Sequence, residues 1–169
     1  YEYCQLLQLD DMPLLPDHLK ITDIPKMENA EVADLMARFE PLVKHFNRYL
    51  TIGGFPELAL SDDDLYAQRM LREDVVDKVI KRDVLTLFKV RSPLLMEKLF
   101  LYLCMNSTEI FSATTAAKEL DNISPNTIES YVDALVKSNL IYMAYPIAVG
   151  SKTVLKGRPK IYIADAAIR

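Results

Sequence analysis

The sequence predicts a mainly α-helical protein, in which a helical subdomain is followed by a winged helix-turn-helix with a small antiparallel β-hairpin. Apolar residues recur at helical spacing through residues 30–88, where nothing alternates with period two. Residues 91–169 then contain three predicted helices and a hairpin, with a four-residue connection between the second and third of those helices. The chain has 169 residues, half of them apolar, which is enough for the buried core that such a fold needs.

The first part of the chain is a predicted linker that leads into helices. Prolines and acidic residues are dense in residues 10–28 and disrupt regular structure, so residues 1–28 are assigned to a linker or partial element. A helix is predicted over residues 30–39, and Pro41 opens the next helix at a first helical position. The Gly53–Gly54 pair then ends that helix, because glycine adopts the left-handed conformation at low cost.

Residues 29–90 form the predicted helical, lid-like subdomain, whose last segment covers residues 65–88. Apolar residues keep helical spacing along that segment, which is either one long helix or two helices broken near Arg82–Asp83. Three consecutive aspartates at residues 62–64 precede it. Carboxylates are favourable there because the amino terminus of a helix carries partial positive charge.

The carboxyl-terminal domain carries the pattern of a winged helix. Ser92 and Pro93 predict the cap and first turn of a helix over residues 94–105, which is apolar almost all round, as in a buried helix. A short helix over residues 113–120 follows. The third helix is predicted to be capped by Ser124 and to end near residue 138.

The turn between the second and third helices is predicted to be tight. Ala117 is small and allows the two helices to approach closely, and Asp121 takes the position that glycine often holds in such turns. Asp121 or the adjacent Asn122 can tolerate the positive φ that this position requires. Residues 140–148 and 160–164, rich in Ile, Val and Tyr, are then predicted to form a hairpin with a long basic loop.

Charge is distributed unevenly along the chain, whose formal net charge is −4. Residues 1–65 hold five Lys and Arg against thirteen Asp and Glu, a net of −8, whereas residues 66–169 hold fifteen against eleven, a net of +4. Residues 150–169 alone carry five Lys and Arg against one Asp, so the acidic net charge does not exclude a polyanion partner, whose contact would lie at that end of the chain.

The third helix and the hairpin loop form the candidate nucleic-acid interface. A helix in the major groove usually contacts DNA through basic side chains, but this helix carries the acidic Glu129 and Asp133. The loop is therefore expected to act as a basic wing that holds phosphates. The alternative, equally open from charge alone, is that the winged helix is a protein-interaction module. The predicted DNA contacts are Asn126, Thr127, Ser130 and Tyr131 on the helix and Lys152, Lys156, Arg158 and Lys160 in the wing.

Patterns of catalytic and metal sites are missing from the sequence. His18 and His45 are isolated, no Ser/His/Asp or Cys/His arrangement can be placed, and no phosphate-binding glycine loop occurs. Cys4 and Cys104 lack metal-type spacing and are expected to be free thiols of a cytoplasmic protein. No apolar run has the length of a membrane span, so no membrane partner is expected. We therefore expect no catalytic site, metal or cofactor in this chain.

A set of motifs, in conserved order along the chain, resembles a large prokaryotic family of AAA-type ATP-binding proteins that carry a carboxyl-terminal domain of unknown function. Residues 49–57 are similar to the family segment Y-L-x-x-G-G-F-P-E, and residues 159–165 are similar to its P-K-l-Y-f-x-D strand. The opening Tyr1-Glu2-Tyr3 resembles the F-x-E-Y segment that follows the ATPase core. The Arg82–Asp83 pair and the winged-helix region over residues 112–141 keep the family order.

This resemblance implies that the chain is a piece of a larger ATPase. It would begin after the nucleotide-binding core, whose Walker motifs would hold ATP and Mg, and stop before a nuclease-like module. Residues 30–60 would form the helical lid, and Arg72, Lys81 and Arg82 would be the local candidates for sensing the nucleotide phosphate. The implied partners are the protein's own ATPase core, DNA and another subunit. The expected function is a regulatory, DNA-binding fragment of the ATPase; the alternative is an assembly module that binds no DNA.

Overall fold

The computed structural model describes residues 2–9, 12–17, 19–88, 90–147 and 157–168, apart from the side chains of Val75 and Asp83. It confirms the predicted class, since the described chain is mainly helical with one two-stranded antiparallel sheet. The chain divides into two compact units, Tyr1–Ala67 and Gln68–Arg169. No helix in the described part of the chain has the length and hydropathy that crossing a membrane requires.

The amino-terminal unit is built from short helices. They are α1 (Glu2–Leu6), a 3-10 helix (Ile21–Lys26), α2 (Asn29–Phe39), a 3-10 turn (Glu40–Leu42), α3 (Val43–Ile52), α4 (Pro56–Ala59) and the start of α5 (Asp64–Met70). Gly53 ends α3 as predicted, with a φ of 78° in the left-handed region. The linker expected over residues 1–28 contains regular structure at Ile21–Lys26, where the Lys20 backbone N–H donates to the carboxylate of Asp23 at 3.2 Å.

Arg48 of α3 ties the amino-terminal unit together. Its guanidinium donates to the Asp64 carboxylate at 2.9 Å, to the Tyr3 hydroxyl at 3.0 Å, to the Ala59 carbonyl at 2.6 Å and to the Ser61 carbonyl. Partial burial opposes the charged form, but the hydrogen bond and charge of Asp64, together with Tyr3, raise the pKa of Arg48 above its ordinary value. One side chain thus joins α1, α3, α4 and α5.

The carboxyl-terminal unit holds the larger core. After the end of α5 it contains two π-helical stretches (Leu71–Asp77 and Val79–Val84), α6 (Leu85–Leu87), α7 (Pro93–Met105), α8 (Ala113–Glu119), α9 (Pro125–Lys137), β1 (Ile141–Ala144), β2 (Lys160–Ile163) and a 3-10 turn (Ala166–Ile168). Helical turns run through Arg82 and Asp83, so the segment is not broken at that pair. The irregularity is the π-helical hydrogen bonding instead.

The boundary between the units differs from the predicted one at residues 90 and 91. Ile80 and Val84 are buried in the same cluster as Met96 and Leu99 of α7, so the π-helical stretches belong to the carboxyl-terminal core. Burying these aliphatic side chains against α7 removes more apolar surface from water than a separate lid-like helix would. A sequence pattern shows that a helix is amphipathic but does not identify what its apolar face contacts.

Helix α7 is less buried than predicted. Ser92 caps it as expected, its Oγ accepting from the Leu95 N–H at 3.2 Å. Leu94, Leu101 and Met105, however, are exposed. The prediction of a helix buried on all sides is therefore wrong, because the neighbouring elements cover only the face that carries the core residues.

The turn between α8 and α9 has the predicted tight geometry. Asp121 and Asn122 have φ angles of 62° and 56°, and the Ile123 N–H donates to the Ala117 carbonyl at 3.0 Å. Ser124 occupies the N-cap position of α9, but its side chain makes no capping hydrogen bond, so that part of the prediction is wrong. The fixed φ of Pro125 at the first helical position suits the start of α9.

The hairpin pairs β1 with β2 and is attached to the loop between α7 and α8. Tyr142 lies opposite Tyr162, and Ala144 lies opposite Lys160. On the other side of β2, the N–H groups of Thr108 and Phe111 donate to the carbonyls of residues 161 and 159 at 2.7 and 2.8 Å. Strand β2 is therefore central, and the strands are shorter than the predicted residues 140–148 and 160–164.

Candidate functional site

Helix α9 exposes most of the polar residues predicted to meet DNA. Asn126 and Ser130 are exposed, and Thr127 is half-exposed. They lie on the side of the helix away from Ile128 and Leu135, which are fully buried. These three side chains are therefore accessible to the polar groups of a partner.

Tyr131 is a correction to the predicted site. The residue is 6 % exposed, and its hydroxyl accepts from the Ser92 backbone N–H at 3.1 Å. It follows Ile128 by three positions and precedes Leu135 by four, so helical spacing places it on the core face. The prediction that it faces outward is wrong, and this same spacing could have identified it as a core residue.

The exposed face of α9 carries no excess of positive charge among its described residues. Lys137 pairs with Asp133 one turn earlier, with 2.6 Å between Nζ and Oδ2. Glu129 is exposed on the same helix. Because phosphate contacts provide most of the affinity of proteins for nucleic acids, this helix offers few basic side chains that would attract a duplex.

A cleft of about 460 Å³ separates α9 from the end of the hairpin. Arg158 lies on its wall opposite the acidic Glu129 and Asp133 of α9. Arg158 and Lys160 are exposed. Lys152 and Lys156, the other two predicted wing residues, lie outside the described residues.

The outer hairpin face is the feature that sequence reasoning missed. We use this name for Ile110, Tyr142, Ala144, Lys160 and Tyr162. Cross-strand register puts Tyr142 opposite Tyr162, which are 53 % and 39 % exposed, and Ile110 forms a bridge with Lys160. Residues at alternate positions of a strand share one face, so these five side chains lie together. The burial of residues 141–144 alternates in the structure, but all four are apolar or aromatic, so their sequence carries no alternation that would have indicated this face.

In the amino-terminal unit, α3 also exposes apolar side chains. Val43, Phe46 and Leu50 recur at helical spacing and are exposed. A groove of about 530 Å³ beside them is lined mainly by apolar and aromatic residues and includes Tyr3 and Tyr49, whose rings meet edge to face at 5.4 Å. His45 lines the same groove.

The three predicted nucleotide sensors are distributed over the π-helical stretches. Arg72 and Lys81 line one cleft, whereas Arg82 is exposed and does not line it. The Nζ of Lys81 lies 3.3 Å from an Asp77 oxygen and 3.6 Å from a Glu97 oxygen. Its charge is therefore matched within the protein, and the sequence offered no signal for the contribution of Glu97 from α7.

Comparison with known proteins identifies a family without an assigned function. Residues 43–169, more than half of the chain, match the Domain of unknown function (DUF8612), and the chain belongs to this family. It is also similar to the uncharacterized protein MJ1544 of Methanocaldococcus jannaschii, with 26 % identity over 153 residues. That match covers 87 % of this chain and 34 % of the relative, so the chain spans about a third of this relative's length. No solved structure is significantly similar to the chain.

Proposed function

We propose that this chain is a non-catalytic interaction and assembly module of a larger ATP-binding protein, and that its outer hairpin face binds the protein's own ATPase core. The single observation that carries the proposal is the exposed Tyr142–Tyr162 pair beside Ile110. Tyrosines dominate the energetics of many protein interfaces because they bury a large apolar area at low entropic cost. Lys160 at the edge of this face adds a charged group of the kind found at interface rims.

Within this proposal the carboxyl-terminal unit is a winged helix-turn-helix. The order α7, α8, α9, β1 and β2 supports it, as does the single β-bridge from Ile110 to Lys160 of β2. The left-handed turn at Asp121 and Asn122 is of the tight type expected between the second and third helices of that fold.

The ATPase context rests on the resemblance of residues 49–57 and 159–165 and on the length of the curated relative, of which this chain covers a third. ATP and Mg would bind the core and not this chain. The nucleotide-sensing role is best supported at Arg82, which makes no ion pair with a described side chain. Lys81 already forms ion pairs with Asp77 and Glu97. Arg72 lines the same cleft as those two carboxylates.

The exposed apolar side chains of α3 support a second contact in the same assembly, with the core or another subunit. A cytoplasmic location belongs to the proposal as well. It is supported by Cys4 and Cys104, neither of which forms a disulfide, as is usual in a reducing compartment.

The proposal is tested by measuring how this chain binds the separately produced core of its parent protein, using isothermal titration calorimetry. Tyr142→Ser combined with Tyr162→Ser is expected to weaken binding about tenfold or more, because both hot-spot candidates are lost. The matched control is Tyr66→Ser, which removes an exposed tyrosine from α5 and should leave the affinity unchanged. Unchanged binding by the double variant would refute the role of the hairpin face.

DNA binding is the second candidate function, and Arg158 at the cleft beside α9 favours it. In this version Arg158 and Lys160 hold phosphates while Asn126, Thr127 and Ser130 meet base edges, with Lys152 and Lys156 adding charge. Duplex DNA should then bind with an affinity that falls with salt. Arg158→Ala combined with Lys160→Ala should make the log–log slope shallower by roughly one unit per lost contact. A slope that the double variant leaves unchanged contradicts this candidate.

A further inference from the structure

A cleft of about 440 Å³ lies within the carboxyl-terminal unit, on the side formed by the π-helical stretches, α7 and the last 3-10 turn. Its floor is apolar. Leu71, Ile80 and Phe100 contribute to it and are almost fully buried, and Leu101 and Ile168 border it. A concave, mainly apolar surface of this size with a few polar groups at its rim is typical of small-molecule sites.

The rim of the cleft carries one cation that is not neutralised by a described side chain. Lys81 shares the carboxylates of Asp77 and Glu97, and Lys78, which does not line the cleft, pairs with Asp74. Arg72 is exposed and makes no ion pair or hydrogen bond with any side chain that the structure describes. Its planar guanidinium remains able to receive an anion through two parallel hydrogen bonds.

The wall that carries Arg72 has an uncommon backbone. Leu71–Asp77 and Val79–Val84 are π-helical, a geometry that is rare in proteins and occurs frequently at functional sites. Both stretches contribute residues to the cleft, among them Val76 and Ile80. This is an observation independent of the charge pattern, and it concerns the same surface.

We propose that this cleft binds a small organic monoanion with an apolar body, such as an aliphatic carboxylate. Arg72 holds the carboxylate, and the aliphatic chain packs on Phe100, Leu101 and Ile168. The charges of the four ionised side chains that line the cleft cancel, Arg72 and Lys81 against Asp77 and Glu97. A single negative charge is therefore accommodated, whereas the nearby carboxylates repel a triphosphate. This site lies beyond the proposed assembly role and does not depend on it.

The test is a titration of the whole chain with octanoate, followed by methyl resonances of Leu, Ile and Val in nuclear magnetic resonance spectra. Saturable shifts are expected at Leu71, Ile80, Leu101 and Ile168. Arg72→Gln should raise the dissociation constant at least tenfold, and octanol, which lacks the charge, should bind the unaltered protein at least tenfold more weakly. The matched control is Arg82→Gln, which removes an exposed arginine of the same wall outside the cleft and should change the constant less than twofold.

Four results would overturn the proposal. Octanoate shifts confined to residues away from the cleft would mean that it binds elsewhere. Equal affinities for octanoate and octanol, or equal effects of the two arginine substitutions, would remove Arg72 as the anchor. Inorganic phosphate binding as tightly as octanoate would show that the apolar floor plays no part. Loss of binding to the ATPase core bears only on the assembly function, so the two proposals fail separately.

Discussion

The two units of this protein are held together by different kinds of interaction. In the amino-terminal unit the buried apolar side chains are few, namely Ile52, Leu58, Ala59 and Ala67, and the hydrogen bonds of Arg48 join four helices. The carboxyl-terminal unit has a continuous apolar cluster drawn from its π-helical stretches, three helices and both strands.

Exposed surface follows the same division. The amino-terminal unit leaves many large apolar side chains in water for its size; they are Leu14, Ile21, Met36, Val43, Phe46, Leu50, Phe55, Leu60, Leu65 and Tyr66. Burial of apolar surface is the dominant stabilising term in folding, so the carboxyl-terminal unit should carry most of the stability. The comparison teaches that one unit is stabilised mainly by its own apolar core, whereas the other is held largely by polar contacts and keeps more of its apolar side chains exposed.

The largest effect is expected from a truncation in the carboxyl-terminal core. Leu99 of α7 is fully buried. Leu99→Ala removes the three outer carbon atoms of its side chain and leaves a cavity. We expect a loss of about 2–5 kcal/mol in the free energy of unfolding, measured by denaturant titration. The control is Leu94→Ala on the same helix, where the side chain is 62 % exposed and the loss should stay within about 0.5 kcal/mol. Similar losses in both variants would contradict a core centred on α7.

A smaller and local effect is expected from Arg48→Met. Hydrogen bonds to charged groups contribute about 1.5–3 kcal/mol, and this change leaves Asp64 and two carbonyls without their donor. Amide hydrogen exchange in α3 should become faster while exchange in α7 stays unchanged. Lys44→Met, an exposed change on the same helix, serves as the control. Equal acceleration in α3 and α7 would mean that the two units unfold together and would contradict separate stabilisation of the amino-terminal unit by Arg48.

The smallest effect concerns alkaline pH. Burial, followed by the charge and hydrogen bonding of Glu119, raises the pKa of Tyr102 above its ordinary value of 10.0. The folded state therefore favours the neutral form of Tyr102. The stability that this preference contributes is complete at pH values below the pKa of the unfolded state, and it is lost as the pH rises through the pKa of the folded state. Above pH 10 the unaltered protein should therefore lose stability more steeply than Tyr102→Phe. Parallel pH profiles of thermal unfolding for the two proteins would refute this.

The sequence predicted the elements that depend on local chemistry. The Gly53 stop of α3, the Ser92 cap of α7, the left-handed turn at Asp121 and the presence of a hairpin all follow from the residues at those positions. The packing of Ile80 and Val84 against α7 depends on contacts between distant segments, which no local pattern specifies. That is why the predicted boundary at residue 90 differs from the observed one.

The candidate site was predicted less completely. Asn126 and Ser130 are exposed as expected, whereas Tyr131, predicted on the outward face of the same helix, lies in the core, as its helical spacing from Ile128 and Leu135 requires. The π-helical turns that carry Arg72 could not be predicted, because their hydrophobic periodicity differs little from that of an α-helix over so few residues. The register that pairs Tyr142 with Tyr162 requires the strands to be aligned, which composition alone does not provide.

The central place of β2 has a consequence for the synthesis of this protein. Strand β2 follows β1 in the chain, yet it pairs with β1 on one side and with residues 108–111 on the other. While the chain emerges from the ribosome, the segment at Ile110 must therefore wait for about fifty further residues before its backbone partners exist. Until then the backbone of this segment lacks the hydrogen-bond partners that β2 provides, so this part of the sheet closes only after residues 159–161 have been made.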